Sequence, residues 1–270
     1  MIGIEPTGHY WFNLGAYLEN EVILLVMVNP YPVKQTKELD DNSQSKNDRK
    51  DPMVIAKLVI EGRYSAPYTP DGAYADLRVL TTNRQRIVRK ITQIKNRMAR
   101  WFAIYFPEYN DVFGSFESQS SMLLLHKACI PEAIVKMGPD AVNQIWRDAK
   151  LRAVGMKRAK TLCETAANSI GLKKGTRAAE FELKMILQDY DYKKAQLEEI
   201  MKEIRETCKR IPESEQMLAI KGIGLITVAG FLAEIGDARR FDSPKQDTKA
   251  GRTLFEGKQF RKAQRADNDQ

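Results

Sequence analysis

The pattern of apolar and polar positions divides the chain into a short mixed region and a long helical one. Near the start, apolar runs at residues 2–4 and 21–28 flank a segment with helical spacing at residues 9–18. A strand, a helix and a second strand in so short a span predict a parallel strand pair with a right-handed crossover. The chain is therefore expected to open with part of an α/β unit.

The run Asn29-Pro30-Tyr31-Pro32 is expected to end this unit, and a polar stretch follows it. Residues 38–50 are rich in Asp, Asn, Ser and Lys, which predicts an exposed, mobile loop. Helical signals resume at Asp51-Pro52, because Pro suits the first position of a helix and Asp the position before it. Apolar residues then continue at helical spacing to about Gly62, so we expect a helix that begins beside Asp51.

Two long amphipathic segments dominate the remainder. Residues 73–106 keep apolar side chains at helical spacing among many Arg and Lys, and residues 178–210 repeat the pattern with interleaved Glu and Lys. Shorter helical pieces lie between them, within residues 116–170. Long helices of this kind pack as an antiparallel hairpin or as a dimerising coiled coil. The fold class expected is mainly α, with a partial α/β domain at the N-terminus.

Residues 217–236 have the form of a helix, a tight Gly-Ile-Gly turn and a second helix. Glycines allow backbone N–H groups to approach a phosphate at the start of the second helix, which predicts sequence-independent binding of the DNA backbone. The residues assigned to this contact are Lys221, Gly222, Gly224 and Thr227. The alternative is a plain helical hairpin in which glycine only serves the turn. Residues 153–160 are a fainter copy of the same pattern.

The charge balance favours a polyanionic partner. The chain has 43 Lys and Arg against 35 Asp and Glu, a formal net charge of +8 and a sequence pI of about 9.2. Such a surface attracts nucleic acid through counterion release, although an ordinary soluble protein with solvated basic faces has the same balance. The basic ladder of the first long helix is a candidate for phosphate contacts; its members are Arg84, Arg86, Arg89, Lys90, Lys95, Arg97 and Arg100.

Cysteine usage and hydropathy exclude several classes of protein. Three widely spaced cysteines without a CxxC pair, and only two histidines, argue against a zinc site or a disulfide framework. The longest uncharged apolar run, residues 22–28, is too short to cross a bilayer, and no signal-peptide pattern is present. We expect a cytoplasmic protein in a reducing compartment, without a membrane partner.

Three carboxylates are candidates for a metal site. Glu5 comes just after the first strand, and Asp48 and Asp51 are three residues apart where a helix begins. Mg²⁺ takes oxygen ligands, and carboxylates at such junctions hold it for phosphate chemistry. The commoner role of an Asp pair at a helix start is a cap, and Glu5 alone could be a surface charge at a strand end.

Four motifs, in this order and spacing, resemble the DEDD insertion-sequence transposases, the one-hundred-and-ten family in insertion-sequence naming. The resemblance runs from Ile2 to about Gly251. The motifs are Ile4-Glu5-Pro6-Thr7-Gly8-His9-Tyr10-Trp11, Val28-Asn29-Pro30, Lys46-Asn47-Asp48-Arg49-Lys50-Asp51, and Ile220-Lys221-Gly222-Ile223-Gly224 continuing through Ala233-Glu234-Ile235-Gly236-Asp237 to Arg240-Phe241.

The resemblance implies a fold, a chemistry and partners. It implies a RuvC-like, RNase H-type domain that holds Mg²⁺, followed by a helical C-terminal domain that carries a serine nucleophile. Glu5, Asp48 and Asp51 would match three of four acidic positions and be both catalytic and metal-binding. The partners implied are DNA, a structured guide RNA and further copies of the chain in a dimer or tetramer.

The sequence departs from the family pattern at both ends. The family's first acidic residue lies on a strand well upstream of the glutamate motif, whereas Glu5 is only four residues from Met1. Residues 252–270 contain no serine where the family carries its nucleophile, and they are polar without clear periodicity. We therefore expect a fragment truncated at both ends, unable to transpose alone, with a disordered tail.

The expected domains are a partial RuvC-like DEDD domain at residues 1–70, a long basic helix at 71–115, a helical region at 116–210, an incomplete helix-hairpin-helix-like domain at 211–251 and the tail at 252–270. The function expected is that of a DNA transposase or recombinase that cleaves and transfers strands with metal assistance. The alternatives are a RuvC-like structure-selective nuclease and a catalytically dead nucleic-acid-binding protein.

Overall fold

The computed structural model describes residues 1–6, 8–41 and 50–240. They divide into two compact units, one spanning Met1–Pro70 and a second beginning at Asp71. The predicted disordered tail at residues 252–270 lies outside the described residues.

The first unit contains a small parallel sheet. Its elements are β1 (Ile2–Ile4), α1 (Trp11–Asn20), β2 (Leu25–Met27), α2 (Pro30–Asp41) and α3 (Lys50–Ile60). The two strands pair in parallel, with Ile2 opposite Leu25 and Ile4 opposite Met27, which confirms the predicted pair. β2 is shorter than expected because the residues before it close α1. The Ile23 N–H donates to the Leu18 carbonyl at 2.8 Å.

The segment between β2 and α3 differs from the prediction. A loop was expected at residues 38–50, but α2 continues to Asp41 and α3 already begins at Lys50, while residues 42–49 lie outside the described part of the chain. The Asn29 side chain accepts a hydrogen bond from the Tyr31 N–H at 3.0 Å, and Pro30 occupies the first helical position. Together they start a helix where the sequence pattern predicted only a break.

The core of the first unit lies between its helices and strands. Val28, Val33, Val54 and Leu58 are buried together there. β1 approaches α3 so closely that a Cβ on Gly3 would lie 2.6 Å from a Val59 methyl carbon. The absence of a side chain at residue 3 therefore sets the distance between β1 and α3.

The second unit is helical throughout its described residues. Its elements are α4 (Gly72–Tyr105), α5 (Tyr109–Phe113), α6 (Gln119–Leu125), α7 (Pro131–Asp148), α8 (Met156–Ala167), α9 (Thr176–Lys209), α10 (Pro212–Leu218) and α11 (Leu225–Ile235), followed by a short 3₁₀ turn at Ala238–Arg240. α7 is kinked at Gly138, where φ is 77°. The expected mainly α class and both long helices are confirmed.

The two long helices pack against each other in antiparallel orientation within one chain. The Trp101 indole N–H donates to the Ala179 carbonyl at 2.9 Å, near the end of α4 and the start of α9. At the opposite ends, the Arg210 guanidinium donates to Asp76 at 2.6 Å. Residue numbers rise along α4 as they fall along α9, so the pair has the geometry of an antiparallel hairpin.

The shorter helices α5, α6, α7 and α8 pack at the Trp101 end of this pair. Phe102 stacks on Tyr109 with ring centroids 4.7 Å apart, and Phe113 meets Trp146 edge-on. The Trp146 indole N–H donates to the Ser120 carbonyl at 2.9 Å, so the buried indole keeps a hydrogen-bond partner. These contacts join α4 to α5, α6 and α7 in one core.

The connection from α8 to α9 rests directly on the end of α4. A Cβ on Gly171 would lie 2.2 Å from the Tyr105 carbonyl oxygen, so only glycine allows this approach. Glu108 accepts hydrogen bonds from the Ser169 hydroxyl at 2.7 Å and the Ile170 N–H at 2.9 Å. Partial burial acts to raise the pKa of Glu108, but these hydrogen bonds outweigh it and the pKa is lowered.

No helix among the described residues combines the length and the apolar character needed to span a membrane.

Shortening the Leu183 side chain should destabilise the second unit. Leu183 is fully buried on α9, so Leu183→Ala removes packed methyl groups and leaves a cavity. The expected loss is about 2–5 kcal/mol of unfolding free energy in urea denaturation followed by circular dichroism. Gln188→Ala, at an exposed position of the same helix, is the control and should change it by about 0.5 kcal/mol or less. Equal losses in both variants would contradict the packing of α9.

Candidate functional site

Two of the three predicted metal ligands lie where β1 meets α3. Glu5 follows the last residue of β1, and Asp51 lies in the first turn of α3. Glu5 and Pro52, the neighbour of Asp51, line one cleft of about 530 Å³. Asp48, the third predicted ligand, lies outside the described residues. The structure thus places Glu5 and the start of α3 at the same cleft.

The chemistry of these donors suits a hard divalent cation. Both described carboxylates supply oxygen atoms, which Mg²⁺ prefers, and one carboxylate oxygen of Asp51 is shielded from solvent. Asp51 is the second residue of α3, one place further into the helix than the cap position expected from Pro52. Among the described residues, no three His, Cys, Asp or Glu side chains are close enough together to hold a metal ion. The two described carboxylates could by themselves supply only part of the oxygen ligands that such an ion takes.

The predicted DNA-binding residues lie on an exposed turn and in the first turn of the helix that follows it. α10 and α11 are joined by residues 219–224, and Lys221, Gly222, Gly224 and Thr227 are all exposed. Gly222 has a φ of 93°, which side chains rarely adopt, so the turn itself requires glycine there.

Gly224 has no such conformational reason to be glycine. Its backbone is extended, with φ −96° and ψ 164°, and a Cβ built on it would meet nothing within 4 Å. As the cap residue of α11, Gly224 has no side chain that could accept hydrogen bonds from the first N–H groups of the helix. The Thr227 and Val228 N–H groups donate to the Gly224 carbonyl, which leaves the Leu225 and Ile226 N–H groups without a backbone acceptor among the described residues. The arrangement leaves room for a ligand to come close to the backbone at Gly224.

Contacts with α4 hold the other end of α11 in place. Val228 and Leu232 of α11 are buried in a cluster with Leu77 of α4. The Arg78 guanidinium donates to the carbonyl oxygens of Ala233 at 3.0 Å and Glu234 at 3.4 Å. The exposed turn is therefore carried on a fixed support.

Arg78 is a positioning residue that the sequence analysis did not identify. It lies 155 residues from Ala233 in the chain, and no local pattern relates the two. Tyr74, one turn earlier on α4, donates to Glu213 of α10 at 3.3 Å. Burial raises the pKa of Tyr74, and the negative charge of the Glu213 carboxylate raises it further. Tyr74 therefore stays protonated as a donor at neutral pH.

The basic residues of α4 fall into two groups, those that contact other parts of the protein and those that are exposed to solvent. Residues 77–105 contain eight Lys and Arg and no acidic residue. Lys95 pairs with Glu117 at 2.6 Å, and the Arg84 guanidinium contacts the Met201 sulfur at 3.3 Å. With 100° of rotation per residue, the exposed members lie within an arc of about 100°. They are Arg86, Arg89, Lys90, Arg97 and Arg100.

Comparison with known proteins relates both candidate sites to one family. A family model described as Transposase matches residues 1–107, which include β1, α3 and α4. A second model, described as Transposase IS116/IS110/IS902 family, matches residues 200–249, which include the exposed turn. No curated protein matches the chain. The two models together cover more than half of the chain, at its two candidate sites, and the chain belongs to the IS110 family of insertion-sequence transposases.

Proposed function

We propose that this chain acts on DNA in transposition, with a divalent metal bound by Glu5, Asp48 and Asp51. The observation that carries the proposal is that Glu5 and the start of α3 line one cleft within the residues matched by the transposase model. Mg²⁺, when bound, would polarise the phosphodiester and help to form the attacking oxygen nucleophile. The carboxylates supply negative oxygen atoms, and the close packing of Gly3 on Val59 keeps β1 and α3 together.

Removal of either described carboxylate should weaken metal binding. Glu5→Ala and Asp51→Ala each take away an oxygen ligand, so Mn²⁺ affinity should fall at least about tenfold in isothermal titration. Asp48→Ala should have the same effect. Glu61→Ala is the matched control, because Glu61 lies just beyond the opposite end of α3, and it should leave affinity unchanged.

Two results would contradict the metal assignment. Unchanged Mn²⁺ affinity in Asp48→Ala and Asp51→Ala would show that the ion is held elsewhere. Absence of binding to the unaltered protein would favour the alternative of a nucleic-acid-binding protein without catalysis.

We further propose that the turn between α10 and α11 binds the DNA backbone. The support is its exposure, the open N-terminus of α11 and a glycine at residue 224 that neither backbone nor packing requires. Backbone N–H groups and the Lys221 ammonium would contact phosphates, which positions DNA without reading its sequence. The anchoring by Arg78 keeps this surface fixed while DNA binds.

Adding a methyl group at residue 224 should weaken DNA binding without disturbing the fold. Gly224→Ala is expected to raise the Kd for a duplex about tenfold, because the new Cβ keeps the phosphate from the backbone. Lys221→Gln should lower the dependence of log K on log salt concentration by about 1. Both are measured by fluorescence anisotropy of a labelled duplex titrated with the full chain.

Gly230→Ala is the matched control for this experiment. Gly230 is on the same helix as the proposed contact, and a Cβ there also meets nothing within 4 Å. It should leave the Kd within about twofold. Equal affinity of Gly224→Ala and the unaltered protein would contradict backbone binding at the turn.

A structured guide RNA remains part of the proposal. Its support is the exposed arc of five cations on α4, since a basic stripe of this kind attracts phosphates of any nucleic acid. Arg97 has only a partial counter-charge, an exposed contact of 3.6 Å with Asp189.

We also propose that copies of the chain associate through the outer face of α9. Phe181, Met185 and Tyr192 are 67%, 49% and 62% exposed and share one side of the helix at a heptad-like spacing. Apolar side chains repeated in this way are typical of helix–helix contacts between chains.

Charge on this face should prevent association. The double variant Phe181→Glu with Tyr192→Glu should shift the protein to a 30.8 kDa monomer in size-exclusion chromatography with light scattering. The control is Val79→Glu with Val135→Glu, at exposed apolar positions of α4 and α7, and it should keep the mass of the unaltered protein. A monomeric unaltered protein at micromolar concentration would contradict the proposal.

A further inference from the structure

A second basic surface lies at the junction of α7 and α8, outside both ranges matched by the transposase models. Residues 149–163 contain five basic residues and no acidic one. All five are exposed, and together they are called the basic corner. They are Lys150, Arg152, Lys157, Arg158 and Lys160.

The connecting loop is folded back on α7, which gathers these charges in one place. The Lys150 N–H donates to the Arg147 carbonyl and the Leu151 N–H to the Trp146 carbonyl, each at 2.9 Å. At the other end of the loop, the Arg147 guanidinium donates to the Val154 carbonyl. Both ends of the loop are therefore held beside the last turn of α7, next to the start of α8.

Gly155 has a structural role in this junction. A Cβ at residue 155 would lie 2.9 Å from the Arg147 guanidinium, so the absence of a side chain there leaves room for the contact that closes the loop. Gly155 thus has a packing neighbour, whereas a Cβ on Gly224 would meet nothing within 4 Å. The feature of this corner that would attract a ligand is its charge.

The charge of the basic corner is not neutralised within the described residues. None of its five side chains forms an ion pair with a carboxylate there, and the two acidic residues that flank the segment in sequence are Asp148 and Glu164. Asp148 accepts a hydrogen bond from Gln144 at 2.7 Å. An uncompensated group of five cations produces a positive potential that attracts a polyanion.

We propose that the basic corner binds the phosphate backbone of duplex DNA, as a contact separate from the turn between α10 and α11. Residues 147–165 include no aromatic side chain, on which the bases of single strands and RNA loops would stack, and no Asn or Gln. Cations alone suit a duplex, whose bases are stacked inside while its phosphates face outward. Membership of a transposase family makes DNA the duplex to test.

The two surfaces are supported by opposite ends of α4. The turn rests on Leu77 and Arg78 through α11, whereas Trp146 and Leu162 of the α7–α8 pair belong to the cluster around Phe102. At 1.5 Å per residue, positions 78 and 102 are about 36 Å apart along the helix. Different phosphates of one duplex would therefore contact the two surfaces.

The test removes three charges from the corner. The variant Lys157→Gln, Arg158→Gln and Lys160→Gln alters exposed side chains of the full chain and should keep its thermal unfolding curve. Binding to a labelled duplex of arbitrary sequence is measured by anisotropy at several salt concentrations. The Kd should rise at least tenfold at low salt, and the slope of log K against log salt should become shallower by about 2–3.

A matched variant separates the corner from overall charge. Lys184→Gln, Lys194→Gln and Lys202→Gln removes the same charge from exposed positions of α9, where carboxylates are interleaved. It should change the Kd no more than twofold. An equal effect of the two triple variants would overturn the proposal, because binding would then follow net charge only.

Two further arms distinguish this site from the others. The three corner substitutions are also combined with Lys221→Gln and Gly224→Ala. In this combined variant the corner substitutions should still raise the Kd for the duplex tenfold. This expectation holds even if Lys221→Gln and Gly224→Ala alone do not change binding. An additional weakening of less than twofold in the combined variant would overturn an independent contact. A corner variant that weakened binding to an RNA hairpin but left duplex DNA binding unchanged would overturn the assignment to DNA.

Discussion

The packing of α4 against α9 is the interaction on which the rest of the second unit depends. Helices of this length stay folded in water chiefly because one face is buried against a partner. The Trp101 indole, bonded to the Ala179 carbonyl at 2.9 Å, fixes the register at one end of the pair. The Asp76–Arg210 contact joins the other end. The exposed turn and the basic corner are both built outward from this pair, so a change in its register would move both surfaces.

The sequence predicted the long helices well and the short elements poorly, and the reason is physical. In α4 and α9 a buried stripe repeats over nine turns, so the pattern is unambiguous. α5 has only five residues. Its helical conformation depends on the burial of its aromatic side chains against Phe102 and Trp146, and no local sequence pattern reveals these contacts. α2 was missed because Asn29-Pro30 was interpreted as a break, although Asn before Pro is also a good helix start.

The candidate sites were also predicted from the sequence only where a local pattern marks them. Glu5 and Asp51 were identified because each stands next to a boundary that the sequence marks, a strand end and a Pro at a helix start. Glu5 and Pro52, the neighbour of Asp51, line one cleft because β1 packs against α3, where Gly3 allows the two elements to come close. The support of the exposed turn by Arg78 could not be predicted from the sequence, because this contact joins residues that are distant in the chain.

The role of each Lys and Arg side chain in this protein depends on the groups that it contacts. By sequence, the Arg and Lys residues of α4 form a single ladder, yet Lys95 is neutralised by Glu117. The Arg78 guanidinium donates hydrogen bonds to carbonyl groups at the end of α11. The remaining cations of the α4 arc and the basic corner have little or no internal compensation, and their positive potential must be balanced by salt ions or by a polyanion. Displacing those ions is favourable when a phosphate backbone takes their place, so we expect the cations that contribute least to the fold to contribute most to the proposed binding of nucleic acid.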